Sequence, residues 1–343
     1  MQNSPLMWAS VAAVACALTG CDGESKDQPT AGAGAASAAP LKLSVQLDWM
    51  PEPEFGGLYA AKELGLFAKA GLEVTIVPGA PGVPGAQMVA SGTCDIAVLS
   101  CDQILTLRSQ GGDVVAIYAT METNPTAVMV HESNPARTLK DVWTSGLTVM
   151  TEPGLPWVQL MNRKYGTAGV KVVPGTGGVT SFMADPMLAQ SIFVTSEPLT
   201  MKLNNIPVRC INVSESGYDP YVAVYATRGE FLDSHIVPLT KFAAAMQEGW
   251  KAYFATPERF NKVIAPLNPA MNEAAMNDAA KVLGPYVQTA NGAPVALGWM
   301  DAKRWESVAT QLEETGIIKG SVDWQKAFRN LVSAPPPAPP PAP

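Results

Sequence analysis

The chain has 343 residues, of which 47% are hydrophobic and 15% charged, and its formal net charge at pH 7 is −7. This length suffices for one large or two medium-sized domains, each with a hydrophobic core. The acidic balance argues against a nucleic-acid partner, which would favour clustered Lys and Arg. The two His residues leave little material for a metal site or for acid–base catalysis by His, so we expect no metal and no cofactor.

The first twenty residues have the composition of an export signal. Residues 6–20 are small and apolar, a run too short for a good membrane span but suited to a signal peptide. Residues 18–21 (LTGC) resemble a lipobox, in which the peptidase cuts before the cysteine that carries the lipid. The alternative is an ordinary signal peptide with a chance cysteine. Residues 1–5 lack the usual Lys or Arg, which indicates a weak signal or a start codon further upstream. We predict lipidation at Cys21 and a lipid anchor at the periplasmic face of the membrane.

Low-complexity segments flank the folded part. Residues 21–40 are small and polar and predict a flexible linker. Residues 334–343 (APPPAPPPAP) predict a polyproline II tail. Three further cysteines, Cys94, Cys101 and Cys210, are too sparse for a disulfide framework, so we expect buried free thiols.

From residue 41 the chain alternates short strands and helices. Residues 41–49 (LKLSVQLDW) alternate apolar and polar side chains, which predicts a strand ending at Trp49. Further strands are predicted at 74–77, 95–99, 114–119, 147–150, 172–173, 192–194 and 208–213. Helices are predicted at 58–64, 86–92, 157–165 and 197–203, and another begins at residue 102. Three more are predicted at 239–255, 272–287 and 301–316. The pattern predicts an α/β fold of two lobes, with mostly parallel sheets flanked by helices and a ligand site in the cleft.

Many short blocks resemble the thiamine-pyrimidine-precursor binding family in order and spacing. They include QLDWMPEPEFGGLYAAKELGLFAKAGLEVTIVPG, QMVASGTCDIAVLS, EPGLPWVQLMNRKYG, VTSEPLT and YVAVYATRGEFL, within residues 41–290. The resemblance implies a periplasmic-binding-protein type II clamshell. Lobe I would comprise residues 41–130 and 228–333 and lobe II residues 131–227, with crossing strands near 127–131 and 222–227.

The resemblance also implies a function, namely that of an extracytoplasmic solute-binding lipoprotein of an ABC importer. Such a protein captures a small ligand by hinge closure and then docks on a permease driven by an ATPase. A planar thiamine pyrimidine precursor is the favoured ligand. Neighbouring relatives bind riboflavin-type compounds, sulfonates, nitrate or aromatic acids, so these stay open. We expect a monomer without a nucleic-acid partner.

One branch of the superfamily is an enzyme, a fungal pyrimidine synthase that uses pyridoxal phosphate and its own histidine. Alignment with that branch places its cofactor lysine on Leu99 and its consumed histidine on Gln103. Its Cys-rich motif falls on residues 217–224, which contain no Cys. Because a Schiff base requires an amine, we predict a binder rather than an enzyme. A structural or adhesive lipoprotein is a third alternative.

Two residues lead the candidate ligand contacts. The flat indole of Trp49 can stack on a planar heterocycle, and the resemblance implies that it packs against the pyrimidine ring. Glu197 matches the family glutamate that receives the amino edge of the pyrimidine through charge-assisted hydrogen bonds. The alternatives are a core Trp and a Glu favoured at a helix start by the helix dipole.

The other candidate contacts fall in four segments. They are Glu52, Glu54, Phe55 and Gly56 before the first helix, Ser100 and Asp102 at a helix start, Glu152, Gly154 and Trp157 around a Pro-rich turn, and Tyr218 before a crossing strand. The alternatives are solvated loop acids, an N-cap, and packing in the core or in a turn. Pro153 and Pro156 lack N–H donors, which weakens a phosphate interpretation of the Pro-rich turn.

Overall fold

The computed structural model describes residues 39–175, 178–290, 293–294 and 296–334. The predicted signal peptide, Cys21, nearly all of the predicted linker and all but the first residue of the Pro-rich tail lie outside the described residues. None of the helices in the described ranges is long and apolar enough to cross a membrane.

The order of elements follows the predicted alternation. The strands are β1 (Leu41–Gln46), β2 (Leu72–Val77), β3 (Ile96–Leu99), β4 (Val114–Met121), β5 (Thr126–His131), β6 (Leu147–Thr151), β7 (Val170–Pro174), β8 (Leu188–Phe193), β9 (Val208–Asn212), β10 (Val222–Arg228), β11 (Thr289–Ala290) and β12 (Ala293–Pro294). The α-helices are α1 (Gly56–Glu63), α2 (Leu66–Lys69), α3 (Gly85–Ser91), α4 (Cys101–Ser109), α5 (Leu139–Thr144), α6 (Pro156–Tyr165), α7 (Thr180–Ala184), α8 (Glu197–Leu203), α9 (Gly229–Ser234), α10 (Ile236–Ala255), α11 (Pro257–Ile264), α12 (Glu273–Gln288) and α13 (Ala302–Glu314). Short 3-10 helices cover Pro53–Phe55, Val213–Ser216, Ala265–Leu267 and Trp324–Lys326.

Two five-stranded sheets form within the described residues. The first has the order β2-β1-β3-β10-β4 and the second the order β7-β6-β8-β5-β9. In each sheet four strands share one direction, and the fifth, β10 or β5, runs antiparallel to both of its neighbours. The predicted α/β fold with mostly parallel sheets is therefore confirmed, with one antiparallel strand in each sheet.

The chain crosses between the sheets twice. β4 of the first sheet leads into β5 of the second, and β9 leads back to β10 of the first. The predicted division gave residues 41–130 to lobe I and 131–227 to lobe II. In the structure β5 pairs within the second sheet and β10 within the first. The chain therefore changes from one sheet to the other before Thr126 and again before Val222, earlier than each predicted boundary. The predicted residue boundaries of the two lobes stay a prediction.

Both crossings meet at one guanidinium, and we call this contact the crossing hub. Arg304 on α13 donates to the carbonyl of Glu122 in the first crossing and to those of Asp219 and Pro220 in the second. Its Nη2 also lies 2.9 Å from Asp219 Oδ1, and its Cζ lies 4.1 Å from the ring centroid of Tyr221. Helix α13 therefore holds the two connections between the sheets together.

The first strand ends earlier than its alternation predicts. β1 stops at Gln46, whereas the sequence pattern predicted a strand through Trp49. The side-chain amide of Gln46 donates to the carbonyls of Leu47 and Pro78, at 2.9 and 3.2 Å, which fixes the turn that follows. Trp49 consequently lies in a turn beyond the sheet rather than at the end of a strand.

Candidate functional site

A cavity of about 500 Å³ opens between the two sheets. Its lining comes from the turn after β1, the loop after β2, the start of α4, the turn after β6, the end of β8 and both crossings. Parallel α/β sheets place ligands at the carboxyl ends of their strands, as here, and the volume falls within the range of small-molecule sites. The cavity is thus the candidate ligand site.

Most of the predicted ligand contacts line this cavity. They are Trp49, Glu52, Glu54, Ser100, Asp102, Glu152, Gly154, Trp157 and Glu197. The two crossings bring these residues together from widely separated segments of the chain. Their contact with a ligand stays a prediction.

Three predicted contacts lie elsewhere. Phe55 is fully buried in the core of the first sheet, and a Cβ on Gly56 would lie 2.5 Å from the ring of Tyr253 on α10. Phe55 therefore packs in the core, and Gly56, the first residue of α1, packs against α10 rather than along the cavity. Tyr218 is fully buried behind the lining, where its hydroxyl donates to Asp102 Oδ2 at 2.6 Å. These three residues do not line the cavity, so their contact with a ligand stays a prediction, and Tyr218 contacts the lining residue Asp102.

One cavity acid was missed by the sequence analysis. Asp48 was assigned to the polar face of the first strand, but the strand ends two residues earlier and Asp48 lines the cavity. Its Oδ1 is buried and has no hydrogen-bond partner among the described residues. Burial, together with the charge of Glu152, raises the pKa of Asp48 to about 6. Its position directly before Trp49 was the one signal available. Asn124, Thr126 and Ser196 also line the cavity, and no motif marked them.

Glu52 and Glu54 enter the cavity wall from the Pro-rich turn after β1. Glu52 Oε1 accepts from Asn268 Nδ2 at 3.4 Å, and burial raises the pKa of Glu52 to about 7. Glu54 is only 7% exposed and makes no hydrogen bond with its side chain among the described residues. Burial, and then the charges of Asp48 and Glu52, raise the pKa of Glu54 well above its usual value.

Glu197 begins α8 on the opposite side of the cavity. Its Oε2 accepts from the backbone N–H of Phe193 at 3.1 Å, which fixes the carboxylate at the end of β8. Burial, and then the charge of Glu52, raise the pKa of Glu197 to about 8. Burial also raises the pKa of Glu152, in the turn after β6. Glu197 and Glu152 thus face the acids of the first sheet across the cavity.

Asp102 is held in place more firmly than the other cavity acids. It accepts from the hydroxyl of Ser100, from the N–H of Gln103 at 2.8 Å and from Tyr218. Burial raises the pKa of Asp102, and these hydrogen bonds oppose the rise. Ser100 is also the N-cap residue of α4, as its alternative interpretation predicted. Asp102 therefore serves the helix start as well as the cavity wall.

The cavity lining contains acidic side chains but no basic ones among its described residues. Six carboxylates contribute to it, namely Asp48, Glu52, Glu54, Asp102, Glu152 and Glu197. No Lys, Arg or His occurs among the described residues that line it. No group of three or more His, Cys, Asp or Glu side chains in the described ranges could hold a metal ion. The cavity thus offers acidic side chains without a cation among the described lining residues.

Two indoles provide flat surfaces beside these acids. Trp49 is partly buried and lines the cavity, while Trp157 is 5% exposed and packs edge-on against Trp143 with 5.8 Å between ring centroids. The Nε1 of Trp157 is buried and lacks a hydrogen-bond partner among the described residues. Aromatic faces and acids in one cavity suit a flat molecule with N–H donors.

Comparison with known proteins assigns this arrangement to a family. The family described as NMT1/THI5 like matches residues 52–260, well over half of the chain. The chain belongs to this family. In this member Leu99 and Gln103 line the cavity, and neither side chain carries an amine or an imidazole.

Individual relatives of this NMT1/THI5-like chain carry names of binding proteins. It is 24% identical to the formylaminopyrimidine-binding protein of Halalkalibacterium halodurans, with 84% of this chain and 90% of the relative covered. It is 22% identical to the riboflavin-binding protein RibY of Chloroflexus aurantiacus, with 91% and 93% covered.

Solved structures show the fold. The periplasmic aliphatic sulphonate binding protein SsuA of Escherichia coli aligns with a TM-score of 0.63 at 15% identity, with 88% of this chain and 97% of that chain covered. The periplasmic nitrate-binding protein NrtA of Synechocystis aligns with a TM-score of 0.59 at 12% identity, with 84% and 86% covered. The predicted two-lobed periplasmic-binding-protein fold is therefore confirmed.

Proposed function

We propose that this chain is the extracytoplasmic solute-binding protein of an ABC importer and binds a small planar ligand in the cavity between its sheets. The observation that carries the proposal is that both sheets and both crossings contribute to one cavity lining. A ligand bound there touches both lobes at once. The names of the formylaminopyrimidine- and riboflavin-binding relatives support the same role.

The mechanism we propose is hinge closure. A ligand that contacts the acids after β1 and those at the end of β8 binds the closed arrangement better than the open one, and so shifts the population toward closure. The crossings between β4 and β5 and between β9 and β10 are the hinge. The closed form then docks on the permease, while the lipid predicted at Cys21 keeps the protein at the membrane.

A thiamine pyrimidine precursor is the ligand that we favour. Trp49 would stack on the ring, worth about 1 kcal/mol beyond area burial. Glu197 would accept from the amino edge of the ring through a charge-assisted hydrogen bond. Riboflavin is the second candidate, because one relative carries that name and because its flat ring system would also stack on Trp49.

Two variants and a panel of ligands test this proposal. Hydroxymethyl- and formylamino-pyrimidines, riboflavin, taurine, nitrate and aromatic acids are compared by thermal shift and then by calorimetry. A true ligand at 100 times its Kd should add about 2.7 kcal/mol of stability. Trp49→Ala and Glu197→Gln should each weaken binding of that ligand about tenfold or more.

The matched controls are Trp324→Ala and Glu215→Gln, because neither residue lines the cavity. Both controls should bind like the parent. If Trp49→Ala and Glu197→Gln also bind like the parent, the proposed site is wrong. We expect no turnover of the ligand in these incubations, and a product would revive the pyrimidine-synthase alternative.

A further inference from the structure

The acidic side chains of the cavity lining limit which ligand charge the cavity can accept. We propose that the ligand is a cation, namely a flat nitrogen heterocycle or amidine that carries a full positive charge. This inference rests on the proposed function, because it concerns the ligand of the same cavity. It excludes anions, and it ranks charged heterocycles above neutral ones.

The cavity lining is rich in acids and has no basic side chain among its described residues. Six carboxylates from several separate segments line the cavity, and none of the described lining residues is a cation. A buried ionised carboxylate without a partner costs several kcal/mol. Backbone carbonyls and side-chain amides would provide acceptors for a neutral ligand without that cost. The carboxylates therefore indicate a positive charge that arrives from outside.

Glu54 and Asp48 keep oxygen atoms without a hydrogen-bond partner among the described residues. Glu54 is 7% exposed, makes no side-chain hydrogen bond within the described structure, and has the acids Asp48, Glu52 and Glu197 as its electrostatic neighbours. The buried Oδ1 of Asp48 is likewise unpartnered among the described residues. Both residues line the cavity. The free acceptor capacity of Glu54 is therefore available to a bound molecule, whereas Oδ1 of Asp48 is buried beneath the cavity surface.

Anions, neutral heterocycles and cations differ in how well they suit this lining. A nitrate, sulfonate or carboxylate would add negative charge to six acids and would find no Lys, Arg or His among the described lining residues. A neutral heterocycle could share hydrogen bonds with these acids but would bring no charge to favour their ionised forms. A cationic ring or amidinium satisfies the acids and also fits against the indole of Trp49, since cations are attracted to aromatic faces.

The protonation states are consistent with this inference. Burial raises the pKa of Glu52 to about 7 and that of Glu197 to about 8, so both are partly protonated in the free protein at neutral pH. A bound cation would ionise them and release protons. The other titratable groups close to the cavity acids add no charge, because burial raises the pKa of the Tyr225 hydroxyl and of the Cys210 thiol and keeps both neutral.

A set of three probes with one shape tests the inference. Benzamidinium, benzamide and benzoate share a flat ring and differ in charge, being positive, neutral and negative. We expect benzamidinium to raise the melting temperature and to bind at least about tenfold more tightly than benzamide, or about 1.4 kcal/mol. Benzoate should give no shift. Equal binding of benzamide or benzoate would overturn the inference, as would the absence of any shift with benzamidinium.

The variant Glu54→Gln locates the effect in the cavity. Glutamine keeps the shape and removes the charge, so the advantage of benzamidinium over benzamide should shrink by about tenfold. The control is Glu63→Gln, an exposed carboxylate at the end of α1, which should keep the full advantage. If the two variants lose the advantage equally, long-range charge rather than the cavity is responsible and the inference fails.

The experiment separates this inference from the proposed function. If the pyrimidines bind but benzamidinium has no advantage over benzamide, the cation inference fails while solute binding stands. If benzamidinium is preferred and the pyrimidines do not bind, the preference for a pyrimidine fails while the cation inference stands.

Discussion

The cavity and the crossing hub both bury carboxylates, but they treat the charge differently. At the hub, Arg304 pairs with Asp219, whose side chain is 41% exposed, and its charge opposes, without cancelling, the rise to about 7 that burial causes in the pKa of Glu122. Around the cavity, the described lining has six carboxylates and no cation. The hub therefore has a cation within the fold, whereas in the cavity we infer that the ligand brings it.

The largest effect should follow from the loss of the hub cation. In Arg304→Met the carbonyls of Glu122, Asp219 and Pro220 lose their donor, and the side chain of Arg304 is only 15% exposed. We expect a loss of about 3–5 kcal/mol in the free energy of unfolding, measured with urea. The control Arg329→Met breaks a pair with Asp233 that is more than half exposed, and it should cost about 0.5 kcal/mol or less. Equal losses would remove the distinction between the hub and the surface.

The pH dependence of stability should reveal the uncompensated acids. Their pKa values are raised in the folded state, so between the unfolded and folded values the native protein binds more protons than the unfolded chain. Stability should therefore fall as pH rises through that window. The window runs from 4.5 to about 7 for Glu52 and from 4.5 to about 8 for Glu197. Glu52 alone should account for about 3 kcal/mol. Urea unfolding at about pH 5 and about pH 8 measures the difference, and a protein that is equally stable at both would contradict the description of the cavity.

A smaller effect of opposite sign is expected for the free protein of Glu54→Gln. Removing a buried carboxylate that has like-charged neighbours and no hydrogen bond in the described structure should stabilise the protein by about 1–2 kcal/mol at about pH 8. Glu63→Gln should change stability by no more than about 0.5 kcal/mol. Destabilisation by Glu54→Gln would mean that the carboxylate has a structural partner in the folded protein.

The smallest effect should come from Asp219→Asn. The side chain of Asp219 is 41% exposed, and its ion pair with Arg304 is one of several contacts of the guanidinium. We expect a loss of about 1 kcal/mol or less by the same urea assay. A loss as large as that of Arg304→Met would show that the ion pair, rather than the set of carbonyl bonds, joins the two crossings.

Much of the fold could be predicted from local patterns. Glu197–Leu203 is a helix with the predicted bounds, and α6 begins within one residue of its predicted start. Such segments are short, periodic and bounded by Pro or Gly, so local sequence determines them. The end of β1 could not be predicted in this way. The alternation continues to Trp49, and the turn depends on Gln46 reaching the carbonyl of Pro78, a residue far along the chain.

The site was predictable as single residues but not as an arrangement. Trp49 and Glu197 come from different sheets, and only the two crossings bring them to one cavity. The packing of Gly56 could not be predicted from local sequence, because it lies against Tyr253 of α10, almost two hundred residues away. The net charge of the lining could not be predicted either, because it depends on which acids the crossings bring together and on where the cations remain.

The position of β10 has a consequence for how the protein folds. This strand lies between β3 and β4, yet it follows them by about a hundred residues of chain. The second sheet is built from residues 126–212 alone and can form as soon as they are available. The first sheet contains the earliest strands, but the edges of β3 and β4 stay unpaired until β10 is available to lie between them. Contacts between such distant segments slow folding. The lobe that begins first is therefore the one completed last, and a chain cut before Val222 would expose both edges to aggregation.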